Sequence, residues 1–340
     1  MAVDTELVLR SATLEDATFA ADLWTALRPD APNDPVLMRY WWEFESPTWL
    51  IERFIVERDG ASIGLATHER PHWDRTPERY ASVGGDLLPA ARDPGRLAAV
   101  FASMEDRARR AGAKTLRIRA NEDDEVRLGV IRSLAYREDR RSRRWELDLV
   151  ANRDRLLAMA EESRARMRAQ GIRVLALAED TDPEKYVKIW RMSEEATQDI
   201  PTTLPHVPES FEDYLRWFRS PDIREDRFWI ARVADDIVGV SVLSYPPVRG
   251  VVGTDWTATA RSVRGRGVAR ALKCETVAQA IALGVDRVRT GNDAANAPIL
   301  HLNETMGYRP IPGAIEFLKD AVRSTMGRDG VVAEGYGIDS

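Results

Sequence analysis

The feature that most constrains this 340-residue chain is that one order of elements runs through it twice. Arg92 and Arg264 stand 172 positions apart, as do Ala135 and Gly307, and Gly64 and Gly239 stand 175 apart. Landmarks repeated at nearly constant spacing imply a duplicated unit. In the first copy "ELVLRSATLEDA" reads as a strand and then a helix beginning near Thr13. "FIVERDGASIGLATHE" reads as two strands joined through Asp59-Gly60, a strong hairpin signal. "YASVGGDLLP" is a further strand, "GRLAAVFASMEDRARRAGA" an amphipathic helix stopped by Gly112, "KTLRIRA" a strand, "VRLGVIRSLAY" a helix and "RRWELDL" a last strand. The second copy repeats this from "GIRVLALAED" through the hairpin "FWIARVADDIVGVSVLS", the strand "VVGTDWTATA" and the helix "GVARALKCETVAQAIALGV" to "APILHLNETMGY". The expected organisation is a unit over 1–150, a helical connector over 151–171 with Asn152 as N-cap and Gly171 as its end, a second unit over 172–320, and an extended tail over 321–340.

Composition removes several classes of function. Net charge is −6, so no global cationic field favours nucleic acid or an anionic membrane. The arginine-rich "YREDRRSRRW" (136–145) reads as a solvated hairpin rim, its basic character blunted by acidic neighbours. The single cysteine, Cys274, excludes an internal disulfide framework and is expected to be buried. The four histidines show no metal-ligand spacing, so no metal is expected. No apolar run approaches the roughly 20 residues of a membrane span, and "MAVDTELVLR" lacks the apolar stretch of a signal peptide. A cytoplasmic protein is expected. "YWWEF" (40–44) and Trp49 are expected to pack a helix onto the first sheet rather than line a pocket.

The stretch "RSVRGRGVARALK" (261–273) lies between an expected strand and an expected helix. The first turn of a helix carries amides without intrahelical partners, and its dipole favours an anion. Gly265 and Gly267 permit positive φ and close backbone approach. The amides of Gly265, Arg266, Gly267, Val268, Ala269 and Arg270, with the Arg264 side chain, form a candidate cradle for a pyrophosphate. A Walker loop and a dinucleotide fingerprint both fail, because Arg270 stands where either needs a glycine.

The R-x-x-G-x-A pattern of Arg264, Gly267 and Ala269, followed by a long helix, resembles motif A of the GNAT superfamily of acyl-CoA-dependent N-acyltransferases. "VRTGNDAANAPILHLNETMGYRP" is similar to a second signature of that superfamily, a strand and a helix ending in a Gly-aromatic pair. The resemblance is strong over about 228–310 and weaker over 172–227. The first copy resembles the same fold more distantly, as in tandem members of the superfamily. It implies an α/β (α+β) fold of two tandem units, each a mixed, mostly antiparallel sheet flanked by helices. It implies acetyl-CoA, or another acyl-CoA, as co-substrate and a small-molecule amine as acceptor. Thr257, Ala258 and Thr259 would offer strand backbone to the pantetheine. Asn292 and Asn296 match the superfamily's paired asparagines, Asn296 also being placed to cap a helix.

The implied chemistry needs a base for the ammonium proton, an amide for the oxyanion and a donor for the departing thiolate. Many members carry a tyrosine as that donor; here the position is Asn303, which cannot act as an acid. Asp255 lies two positions from Thr257 and is a candidate base or substrate ligand. His301 is a second candidate. The Pro-rich stretch 195–206 sits where the superfamily places its acceptor loop, with Asp199 and His206 in reach of an amine. In the first copy "LLPAARDPGRLAAV" keeps Arg92 and Gly95, but Asp93, Pro94 and Leu97 replace Gly265, Arg266 and Ala269. Pro94 removes a donor, Asp93 adds negative charge, and Leu97 is expected to crowd the turn. The expected reading is transfer of an acetyl group in the second unit, the first being degenerate. The competing reading is a non-catalytic acyl-CoA-binding protein. No nucleic acid or membrane partner is expected, and the chain is read as a monomeric pseudo-dimer or a homodimer.

Overall fold

A computed structural model describes residues 7–321. The expected tail lies outside the described residues except for Ala321, as do residues 1–6 of the stretch tested for a signal peptide. The first half runs β1 (Val8–Ser11), α1 (Ala17–Leu27), α2 (Pro35–Glu43), β2 (Trp49–Arg58), β3 (Ala61–Pro71), β4 (Tyr80–Leu87), α3 (Pro94–Arg110), β5 (Thr115–Asn121), α4 (Glu125–Ser133) and β6 (Arg137–Asp148). Helix α5 (Arg153–Ala169) follows. The second half runs β7 (Arg173–Ala176), α6 (Lys185–Thr197), α7 (Phe211–Phe218), β8 (Phe228–Val233), β9 (Asp236–Ser244), β10 (Gly253–Thr259), α8 (Val268–Ala282), β11 (Arg287–Asp293), α9 (Ala297–Met306) and β12 (Arg309–Asp320). The order is the same in both halves, and the fold is the mixed α/β tandem that the repeat implied.

Local rules account for the repeat. Asp59 and Gly60 both take positive φ, 54° and 78°, as the tight β2–β3 hairpin requires. Ala135 and Gly307 occupy the same left-handed position after α4 and α9, with φ of 61° and 88°. Gly64 and Gly239 admit no Cβ: one would meet the Asp86 carbonyl oxygen at 2.5 Å, the other Leu272 at 2.9 Å. These are the landmarks whose spacing betrayed the duplication.

The strands form one twelve-stranded sheet in the order β1-β2-β3-β4-β5-β12-β6-β11-β10-β9-β8-β7. Each half hands its last strand across: β12 lies between β5 and β6, and β6 lies between β12 and β11. The sequence spacing carried no sign of this exchange. It corrects the reading of the arginine-rich segment. Residues 137–145 are no hairpin rim; they belong to β6, near the middle of the sheet. Carboxylates of both halves neutralise its arginines, Asp293 at 2.7 Å from Arg140 and Glu122 at 3.1 Å from Arg141.

Helix α5 is the expected connector, ended by Gly171 with φ 68°. Asn152 stands at its N-cap, but its side chain bonds the Asp148 carbonyl rather than a helix amide. Leu156, Met159 and Ala160 of α5 pack with Cys274, Val277 and Ile281 of α8, and Arg164 grips the buried Glu275 at 2.7 and 2.8 Å. The connector is thus a structural layer of the second half. Asp34 fastens the halves together. It caps α2 through the Val36 and Leu37 amides and also accepts from the amides of Val248 and Arg249, at 2.6 and 2.9 Å.

In both halves two parallel strands pair at one end and then part. β4 and β5 pair from Tyr80–Thr115 to Ser82–Arg117; β10 and β11 pair at Gly253–Arg289. The first gap is filled. Arg127 of α4 reaches in and donates to the Gly85 carbonyl (2.6 Å) and the Arg119 carbonyl (2.7 Å), one on each strand, and to Asp86 (3.2 Å). Arg92 adds bonds to Asp86 and Asp124. At the start of α3 the Asp93 carboxylate already takes the Arg96 amide at 3.0 Å. Leu97 does not crowd this turn, as the sequence reading expected; it is wholly buried in the core beneath α3. Arg127→Met is expected to lower unfolding free energy by on the order of 2–3 kcal/mol, because two strand carbonyls and part of a buried ion pair lose their donor. Urea denaturation checks this; an unchanged midpoint would show that the plug is not structural.

Candidate functional site

The second gap has no such plug. Beyond Gly253 the edge of β10 facing β11 pairs with no strand, although its other edge pairs with β9 through Thr259. Thr257 and Thr259 therefore turn their backbone groups to the gap while Ala258 between them faces Val240 of β9, and the Thr257 hydroxyl is held by Ser241 at 2.9 Å. β10 is irregular where Asp255 falls: Thr254 opposes Leu243 and Trp256 opposes Val242, leaving Asp255 as the bulged residue.

The turn after β10 has the expected form. Gly265 and Gly267 both adopt left-handed φ, 74° and 90°, and Gly267 is the N-cap of α8. Positive φ there is strained for any side chain, and a Cβ on Gly267 would also meet the Arg166 guanidinium at 3.2 Å. Val268, Ala269 and Arg270 supply the first helical amides, which have no intrahelical acceptor. Arg266 is braced by Gln170 of the α5 end, and Arg270 by Glu162. Arg261 and Arg264 hold Asp199 at 2.7 and 2.6 Å, and this pair of arginines keeps its carboxyl well below the usual carboxylate range. Asp199 thus contacts the basic turn, not an amine site.

Beside the bulge lies a recess of about 230 Å³ lined by Trp41, Ser193, Glu194, Thr197, Glu209, Tyr214, Trp217, Asp255 and Trp256. Asp255 opens onto this recess; the Trp217 indole donates to it at 2.6 Å, and desolvation pushes its carboxyl up. Glu209 is pushed up to about 7, first by desolvation and then by the charges of Asp213 and Glu194. His206 approaches Glu194 at 3.4 Å from the rim. Trp41 reaches the recess from the first half, while Tyr40 on the same helix donates to the Arg216 carbonyl on α7 at 2.7 Å. The cluster expected to pack only inward therefore divides: Trp42 joins the core between α1 and the sheet, and Trp41 lines the recess.

Other candidates stand apart. His301 is exposed on α9 and does not line the recess. Asn303 is wholly buried; its amide donates to Asn292 at 2.8 Å and its own oxygen finds no partner. Asn296 occupies the N-cap of α9 without a side-chain capping bond. Cys274 is buried, its thiol pushed up by desolvation. The sequence reading missed Glu194, Glu209, Tyr214, Trp217 and Trp256. One signal was available: Glu209 immediately precedes Ser210, the N-cap of α7, at the end of the Pro-rich loop.

A parting of parallel strands, a glycine turn at a helix N-terminus and an acid-lined recess beside the strand bulge lie together in the second half. Residues 189–308 match the Acetyltransferase (GNAT) family. A tandem GNAT protein from the clavulanic acid biosynthesis pathway, solved without acetyl-CoA, superimposes with a TM-score of 0.70 at 17% identity, over 94% of this chain and 100% of that one. A GCN5-related N-acetyltransferase from Sphaerobacter thermophilus gives 0.64 at 18% identity, over 93% and 96%. A glucosamine N-acetyltransferase region of a fungal multi-domain β-N-acetylglucosaminidase gives 0.66 at 11% identity, over 93% of this chain and 38% of that one. No curated protein sequence matches. Residues 189–308 thus match the GNAT acetyltransferase family, and the chain as a whole shares the fold of a tandem GNAT structure.

The Glu209 carboxyl has a stability consequence. A folded value near 7, above the ordinary 4.5, means stability is full below 4.5 and is lost as pH rises through 7. Glu209→Gln is expected to gain stability over the native chain by roughly 2 kcal/mol more at pH 8 than at pH 5. Denaturation at the two pH values measures it; a pH-independent difference would mean that the carboxyl is not desolvated.

Proposed function

We propose that this protein transfers an acyl group, acetyl in the simplest case, from coenzyme A to the amine of a small molecule, in the second half of the chain. The observation that carries the reading is the asymmetry of the two gaps. The first is bridged by Arg127 and capped by Asp93, whereas the second keeps an unpaired strand edge leading to a glycine turn with free amides.

On this reading the amides of residues 265–270 hold the cofactor diphosphate, aided by the helix dipole. Arg264 and Arg261 join once the phosphates displace Asp199. The pantetheine lies along Thr257–Thr259 as an added strand. The thioester then reaches the bulge, where a β10 amide stabilises the oxyanion. The acceptor enters the recess as an ammonium, and Glu209 or Asp255 takes its proton. The nitrogen forms the new amide bond as the C–S bond breaks. Asn303 donates no proton, so the thiolate takes up, through water, the second proton that the nitrogen sheds; with a thiol pKa near 8.5 it is an adequate leaving group. Asn303 also keeps the second reading alive, that of a binding protein without turnover, and thiol release separates the two.

Calorimetry with acetyl-CoA is expected to show one site per chain. Gly267→Trp is expected to weaken binding by at least tenfold, and Arg264→Ala by a smaller factor without altering the turn. Thiol should be released when an amine is present. Two sites per chain would contradict the asymmetry, and one site without thiol release under an amine panel would favour the binder.

A further inference from the structure

The recess deepens that reading, on which this inference rests, because its chemistry selects an acceptor. Its walls are spent donors. The Trp217 indole donates to Asp255 at 2.6 Å, and the Trp256 indole donates to the Ser193 hydroxyl at 3.1 Å. Ser193 shares a bond with the Tyr214 hydroxyl at 2.7 Å, and the Thr197 hydroxyl donates to the Ser193 carbonyl at 2.8 Å. Trp41 apart, the lining indoles and hydroxyls are thus committed within the wall.

What remains free to meet a ligand is acceptor and π surface. Glu194, Glu209 and Asp255 bring three carboxyl groups into the recess, and no lysine or arginine lines it. Among the described residues no group hydrogen-bonds the Glu209 carboxylate. Three carboxyls among four aromatic rings cannot all be comfortable as anions without a cation beside them. An acceptor carrying a carboxylate or phosphate would find repulsion and, apart from the Trp41 indole, no uncommitted donor among the lining side chains. An ammonium finds both a counter-charge and ring faces.

The count of charges goes further. Transfer consumes one positive charge: the reacting ammonium gives one proton to a carboxylate, the amine lone pair forms the N–C bond, the C–S bond breaks, and the departing thiolate takes up, through water, the second proton that the nitrogen sheds. The product nitrogen is neutral. With Glu209 taking that proton, Asp255 remains to be balanced, beside Glu194, which among the described residues meets only His206 and the Glu209 amide, each at 3.4 Å. We propose that the acceptor is a small diamine, or the diamine end of a longer polyamine, held by Glu194, Asp255 and the aromatic walls with its second ammonium charged throughout. A volume of about 230 Å³ suits this, lying below the roughly 300–1,000 Å³ of drug-sized sites. The degenerate first half then has a task, since Trp41 closes one wall.

The test compares 1,4-diaminobutane, n-butylamine and 4-aminobutanoate as acceptors for acetyl-CoA with the full chain, reading thiol release. Tryptophan fluorescence titrations of the same three compounds are run without acetyl-CoA. The diamine is expected to exceed butylamine at least tenfold in kcat/KM and in affinity, with 4-aminobutanoate weakest. Glu194→Gln is expected to bring the diamine-to-monoamine ratio near one. Trp41→Ala, at a half-exposed position, should raise KM for the diamine at least fivefold; both variants should keep the Kd for acetyl-CoA. Equal use of butylamine, a preference for 4-aminobutanoate, or a native KM in both variants overturns the proposal. If other amines turn over without a diamine preference, this inference fails while acyl transfer stands. If no thiol is released at all, acyl transfer fails, and the fluorescence titration alone decides whether the recess binds a diamine.

Discussion

Two parallel strands that pair and then diverge leave backbone groups facing a gap, and buried groups of that kind must find partners. Much else in this molecule follows from how each half meets that demand. In the first half the answer is a side chain: Arg127 bonds a carbonyl on each strand, and Asp86 and Asp124 supply compensating charge that it shares with Arg92. In the second half, beyond the Gly253–Arg289 pair, no side chain among the described residues bonds both β10 and β11. The same topology is therefore a bridged joint on one side and an unbridged parting of strands on the other.

The exchange of last strands makes the halves interdependent. β12 completes the sheet beside β5, and β6 completes it beside β11, so neither half's sheet is whole without the other's strand. Asp34 and the α2–α7 contact add polar fastenings at a second place. This fixed relation allows α2 to place Trp41 against α7 and β10. The first half thus contributes a wall to the recess of the second.

The sequence showed the repeat, the hairpins and the glycine turn clearly, because each rests on local chemistry: turn glycines, helix caps and alternating burial. Gly265 and Gly267 marked a positive-φ turn by residue type alone. The strand exchange was not legible, since strand partners are chosen by non-local packing, and "REDRRSRRW" looks like solvent-facing chain until Asp293 and Glu122 are seen beside it. Asp93 and Arg92 were picked out in the first turn, but Arg127 was not, because a lone arginine on a short helix carries no pattern. The recess was legible only in part. Asp255 was named from its place on the strand; Glu194 and Glu209 come from separate elements that only the fold brings together. His301 was named for its residue type, and the fold leaves it on the outer surface of α9.

The most direct measurement is amide hydrogen exchange with and without acetyl-CoA, resolved by peptide. Ligand-induced protection is predicted for the strand edge and turn spanning 254–271, with no change over the corresponding 82–99. Protection of both segments, or of the first alone, would contradict the claim that one gap is plugged by the protein and the other awaits the cofactor.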